Sequence, residues 1–147
     1  AQHIIDPADP ALWGAHILED RLDGAEPPHL LSQVAMEDEV VPISAGHMMA
    51  RSLSLPHMLP IAEEVPTLES VEGPLEANGP EGRTIGFFQF DRVSNSGSIV
   101  PATHVATPKS LEAQWQMKEY FRLWLETGIP VIKNPYSALE TPALEEN

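Results

Sequence analysis

The sequence predicts an α/β fold, a mostly parallel sheet packed between helices. Three observations carry that expectation. Two apolar, strand-like runs lie at residues 29–36 and 84–90, each is followed by a loop with an ionisable residue, and a helix-forming stretch follows each loop.

The elements can be justified in order. Asp9 followed by Pro10 offers a helix N-cap with proline at the first helical position, so a short helix is expected there, limited by Gly14 and by Asp23-Gly24. After Pro27-Pro28, the run His29-Leu30-Leu31-Ser32-Gln33-Val34-Ala35-Met36 has the composition of a strand buried on both faces. It runs into Glu37-Asp38-Glu39. Ser44 then caps a predicted helix reaching about Leu55, with Ile43, His47, Ala50 and either Leu53 or Ser54 at helical spacing and Met49 beside them. Residues 56–82, rich in proline and glutamate, read as a long acidic loop or insertion. Thr84–Phe90 is aromatic and β-branched, the signature of a second strand. A turn cluster at 94–98 leads to Ile99–His104. Thr107-Pro108 opens a final helix running to about Thr127 with Gly128 as its stop, and Leu111, Gln114, Met117 or Lys118, Phe121 and Trp124 or Leu125 make a mostly apolar stripe. Residues 1–135 make one domain, and 136–147 read as a flexible acidic tail.

Composition narrows the partners. Hydrophobic residues make up 42%, enough to build a core. The net charge of −14 opposes a polyphosphate or anionic membrane partner, so nucleic acid is excluded as a natural ligand class. Without cysteine there is no disulfide, thiolate nucleophile or cysteine-based zinc site, and the compartment is left open. No run approaches the roughly 18 apolar residues of a transmembrane helix, and the start lacks a signal-peptide pattern. The opening Ala1-Gln2-His3, without methionine, fits a processed or excerpted polypeptide.

Function in α/β sheets gathers at the carboxyl ends of the strands. Asp38 follows the first strand and His104 follows the second, so both are expected on one rim. An Asp–His pair is useful because the carboxylate accepts the Nδ1 proton, fixes the tautomer and steadies the imidazolium formed when Nε2 takes a proton from a hydroxyl.

Met36-Glu37-Asp38-Glu39-Val40-Val41-Pro42 resembles the acid loop of α/β hydrolases, a strand ending in Asp-x-apolar-Val-Pro, with Asp38 matching the acid. Pro101-Ala102-Thr103-His104-Val105-Ala106-Thr107-Pro108 occupies the place of the family's histidine, with His104 matching the base. With Asp6-Pro7-Ala8-Asp9-Pro10 before the acid strand, the chain looks most like bacterial lipases and esterases, some of them secreted or envelope-associated. The resemblance implies the C-terminal part of the fold: its last two strands with flanking helices, completed by a missing or separate N-terminal part. The 66-residue spacer from acid to histidine is longer than the common family pattern. No Gly-x-Ser-x-Gly elbow occurs. Ser44 and the serines at 94–98 lack that spacing, so the nucleophile and oxyanion hole are expected upstream of Ala1.

Blander readings stand beside these. Asp38 among three acids can be a solvated turn residue, and His104 an ordinary loop histidine. His3, His16, His29, His47 and His57 read as structural or exposed, and no His-Glu-x-x-His motif suggests zinc. Met117, Phe121 and Trp124 read as core packing, with an acyl pocket, also drawing on Trp115, the minority reading. For Met48, Met49, Met58 and Leu59 a place near a lid is likewise the minority reading. The glutamates of 63–81 read as loop surface, not a calcium site. The resulting expectation is a serine-hydrolase part for carboxylic esters or lipids, with no cofactor or metal and a serine-bearing N-terminal partner. The rivals are a non-catalytic assembly subunit and an acyltransferase.

Overall fold

The computed structural model describes residues 10–21 and 24–144. His3, Asp9 and Asp23, and the tail beyond residue 144, lie outside the described residues. Four parallel strands form the main sheet, with β1 at Leu30–Ala35, β2 at His57–Met58, β3 at Ser70–Val71 and β5 at Ile85–Phe90, in the order β1-β5-β2-β3. The chain is therefore α/β, as its sequence predicts. The two predicted strands are direct neighbours in register, Leu30 against Ile85 through Ala35 against Phe90.

Alternation along β5 builds both layers, because successive side chains leave opposite faces. Phe88 and Phe90 join Ala35, Ala113, Tyr120 and Tyr136 on one face. Ile85 and Phe87 join Leu18, Ala50, Leu53 and Leu55 on the other. Each buried phenylalanine contributes about 1.5–3 kcal/mol of transfer free energy. The first face carries α3 (Leu111–Thr127), and the second carries α1 (Gly14–Leu18) and α2 (Ile43–Ser52). The inward set of α2 follows the predicted spacing, with Ala50 and Leu53 buried. Gly46 lets α2 approach β1, since a Cβ there would meet Val34 Cγ1 at 2.7 Å.

Several expectations are corrected. Ser44 does not cap α2; Pro42 holds that position, and no side chain caps it. The 56–82 stretch is not one loop, because it supplies β2, β3 and β4 (Leu75–Glu76) and buries Met58, Val65 and Leu75. Its glutamates remain exposed. The turn cluster at 94–98 closes a hairpin of β6 (Arg92–Asn95) and β7 (Ser98–Pro101). Ser96 and Gly97 both have positive φ, as a tight two-residue hairpin turn requires. The predicted tail opens with α4 (Pro135–Leu139), preceded by β8 (Val131–Ile132) paired to β4, and Tyr136 is buried.

The largest correction concerns α3. Its helix exists and stops at Gly128, but Ser110, not Thr107, is the cap, its hydroxyl accepting the N–H of Ala113. Thr107-Pro108 forms a separate 3-10 turn. The stripe assigned to the core faces outward: Leu111, Met117, Phe121, Trp124 and Leu125 are all exposed. The buried face is instead Glu112, Ala113, Gln116 and Tyr120. Polar pairing sets this phase. Gln33 donates to Gln116 Oε1 at 2.8 Å, and Gln116 donates to the Lys133 carbonyl at 2.8 Å, so the glutamine enters the core fully bonded.

Candidate active site

Asp38 lies just past the end of β1, and His104 just past the end of β7. His104 lies between the second predicted strand and the last helix, as the sequence predicts, but the intervening stretch is a β6–β7 hairpin that returns the chain beside the acid loop. A parallel bridge between Glu37 and Thr103 joins the two loops, with the Glu37 N–H donating to the Ala102 carbonyl at 2.9 Å. Residues 66 apart in sequence thus become neighbours.

The two side chains meet directly. His104 Nδ1 lies 2.9 Å from Asp38 Oδ2 and 3.1 Å from Oδ1. An ionised carboxylate only accepts, so Nδ1 carries the proton and Nε2 is left with its lone pair. Asp38 is well oriented: its Oδ1 also accepts the N–H groups of Val40 at 2.8 Å and Val41 at 2.7 Å. The Val41 bond, ahead of those from His104 and Val40, holds the carboxyl below its ordinary value against the opposing effect of burial. The acid is therefore ionised at neutral pH. Glu39 adds a second tie, accepting the main-chain N–H of His104 at 3.3 Å. Asp38 is 14% exposed and His104 44%, so the acid is sheltered while the imidazole faces outward.

The pair borders a cleft of about 410 Å³. One wall is α2, with Ile43 and Gly46, and the other is α3, with Ala113 and Met117. Between them lie Gln33, Val34 and Ala35 of β1. The cleft thus runs along the edge of β1 that has no neighbouring strand among the described residues. Leu30 donates to the Thr84 carbonyl just before β5 and Met36 to that of Phe90, and bonding in a parallel ladder alternates, so Leu31, Gln33 and Ala35 turn their main-chain groups to this open side. No serine lines the cleft among the described residues.

This arrangement can move a proton: Nε2 is available to take one, and the carboxylate stabilises the cation that results. The chain matches no family model, no curated protein and no solved structure. Of the other sequence candidates, Met117 lines the cleft, whereas Met48, Met49, Met58, Leu59, Phe121, Trp115 and Trp124 do not. His57 is buried against Phe87, and His47 bonds to Gln89. No group of three or more His, Asp or Glu side chains could hold a metal among the described residues.

Sequence reasoning missed three polar residues, Gln33 in the floor of the cleft and Glu112 and Gln116 behind it. Gln33 and Gln116 join β1 to α3, and Glu112 is a carboxylate with no exposed surface. Glu112 and Gln116 share one helical face at i, i+4 spacing, but polar residues so spaced normally mark a solvated face. Only the fold reveals them as interior.

Proposed function

We propose that the chain supplies the acid and base of a serine hydrolase acting on carboxylic esters, as the C-terminal part of an α/β-hydrolase fold. The observation that carries this reading is the Asp38–His104 contact at 2.9 Å, with Nε2 free beside the cleft. The order of strand, acid, helix, strand, histidine and helix supports it, as does the resemblance of the acid loop. In this reading a serine hydroxyl, borne by a segment or companion chain outside this sequence, attacks the ester carbonyl. His104 Nε2 takes its proton and returns it to the leaving alcohol, while Asp38 remains ionised. Water then hydrolyses the acyl-enzyme with the same histidine as base. An acceptor alcohol in place of water would make the reaction acyl transfer.

The serine-bearing part would lie along the open edge of β1. That edge carries none of the lysines, prolines or bulges that guard natural edge strands. The outward stripe of α3 offers apolar surface to the same body. That stripe also favours the rival reading, a non-catalytic assembly subunit.

Labelling of the intact assembly with a fluorophosphonate separates the two. The hydrolase reading expects one labelled serine, with labelling lost in His104→Ala while the assembly persists. A folded assembly in which no serine is labelled, or a His104→Ala variant that keeps full activity, overturns it.

A further inference from the structure

We propose that Glu112 is a positioning residue for His104, clasping the base of the excursion that presents the imidazole. This rests on the Asp38–His104 pair being the working pair of the site. From Ser94 near the end of β6 the chain turns through the hairpin, follows β7, passes His104 and the 3-10 turn at Thr107–Lys109, and reaches Glu112 in the first turn of α3. Both ends of that 18-residue excursion meet at one carboxylate. Ser94 Oγ donates to Glu112 Oε1 at 2.6 Å, and the Ser94 N–H donates to Oε2 at 2.9 Å. Thr141 Oγ1 adds a third bond to Oε1 at 2.9 Å, tying in the C-terminal segment.

The choice of a carboxylate is informative. Glu112 is 0% exposed and has no ion-pair partner among the described residues, so its burial is costly unless its oxygens are saturated. Two donors of one residue approach from one side, and each needs its own oxygen. A glutamine offers a single acceptor and keeps both contacts only if the Ser94 hydroxyl turns round to accept its amide N–H, whereas an alanine leaves both Ser94 groups without a partner. Burial pushes the carboxyl up, but bonds from the Ser94 hydroxyl and N–H, its own N–H and Thr141 outweigh this and hold it below the ordinary range. The clasp is therefore charged whenever the protein is folded near neutral pH.

His104 needs such a base. Its own polar contacts are with Asp38 and Glu39, and its loop is tied through Ala102, which accepts from Glu37 and donates to the Asp91 carbonyl, and through Thr103, which accepts the N–H groups of Ala106 and Thr107. The outward-facing ring borrows its rigidity from the ends of its excursion. Glu112 touches neither the imidazole nor the cleft, so it acts through the backbone.

The test is nuclear magnetic resonance of the full chain with labelled histidine, reading the shift of the His104 Nδ1 proton bonded to Asp38, alongside thermal unfolding. Glu112→Ala, which opens the clasp, is expected to shift or abolish that resonance, toward the pattern of Asp38→Asn. Thr141→Ala, which removes the tie to the tail and leaves the clasp closed, is expected to leave it in place. A Glu112→Ala protein that unfolds earlier yet keeps the His104 signal at its wild-type position overturns the proposal, because a merely stabilising role would do that. If Glu112→Ala does not fold, Ser94→Ala removes one bond of the clasp. A smaller shift in the same direction then supports the proposal, and an unmoved signal overturns it. No nucleophile or substrate enters this readout, so its failure leaves the hydrolase reading standing, and an unlabelled serine leaves the clasp standing.

Discussion

At the scale of single residues, the carboxylate of Asp38 accepts from two main-chain N–H groups and from His104, and each bond constrains the next. Asp38→Asn keeps the shape but can set an amide N–H against Nδ1, which forces the other tautomer and removes the lone pair from Nε2. Turnover in the serine-bearing assembly is expected to fall by about 10⁴-fold, with little change in KM. His57 makes a second prediction. It is 1% exposed, its Nε2 has no hydrogen-bond partner, and burial holds it below the ordinary value of 6.5. Unfolding restores that value, so the unfolded chain binds the proton more readily. The resulting stability is complete above pH 6.5 and is lost as pH falls below it toward the folded value. Denaturant midpoints measured at pH 8 and pH 5 should differ, and His57→Leu should reduce the difference. The remainder traces to His29, which burial also lowers, and to the lowered carboxyls of Asp38, Glu112 and Glu119, which begin to bind protons in the unfolded chain near pH 5.

At the scale of elements, α3 shows how far a periodic pattern can be trusted. Its existence, its start near residue 110 and its stop at Gly128 follow from local chemistry, because caps are local hydrogen bonds. Ser110→Ala should lower stability by about 1 kcal/mol in chemical denaturation. Which face goes inward is another matter. The apolar stripe and the face of Ala113, Gln116 and Tyr120 recur at the same period, and the structure buries the latter. Phe121→Glu on the outward stripe should therefore change the stability of the isolated chain by no more than about 0.5 kcal/mol. The same variant should weaken association with the serine-bearing part, read by analytical ultracentrifugation. A large loss of stability would put Phe121 in the core after all.

At the scale of the whole molecule, an open strand edge, an exposed helix stripe and a net charge of −14 act together. The edge and stripe favour association, while the charge opposes two copies meeting. Raising the salt from about 0.01 M to about 1 M shortens the screening length from about 30 Å to about 3 Å. Self-association of the isolated chain should rise over that range in light scattering. An occupied edge should abolish the effect.

Much of this was legible from residues alone. The α/β class, the strands at 30–35 and 85–90, the helices after them, and Asp38 and His104 as the pair to watch all follow from periodicity, turn residues and the motif around Asp38, which depend on neighbours in sequence. The strands within 56–82 were not legible, because strands of two residues leave no periodicity to read. Of the hairpin before His104 only the turn residues at 94–98 were legible. The outward phase of α3 and the buried carboxylate of Glu112 were silent, because they are decided by partners 18 to 83 residues away, as in Ser94 with Glu112 and Gln33 with Gln116. Local chemistry determined which elements form and which residues could react. Only tertiary structure decided which faces turn inward and that Asp38 and His104 touch, because burial and hydrogen-bond saturation are satisfied across the whole chain at once.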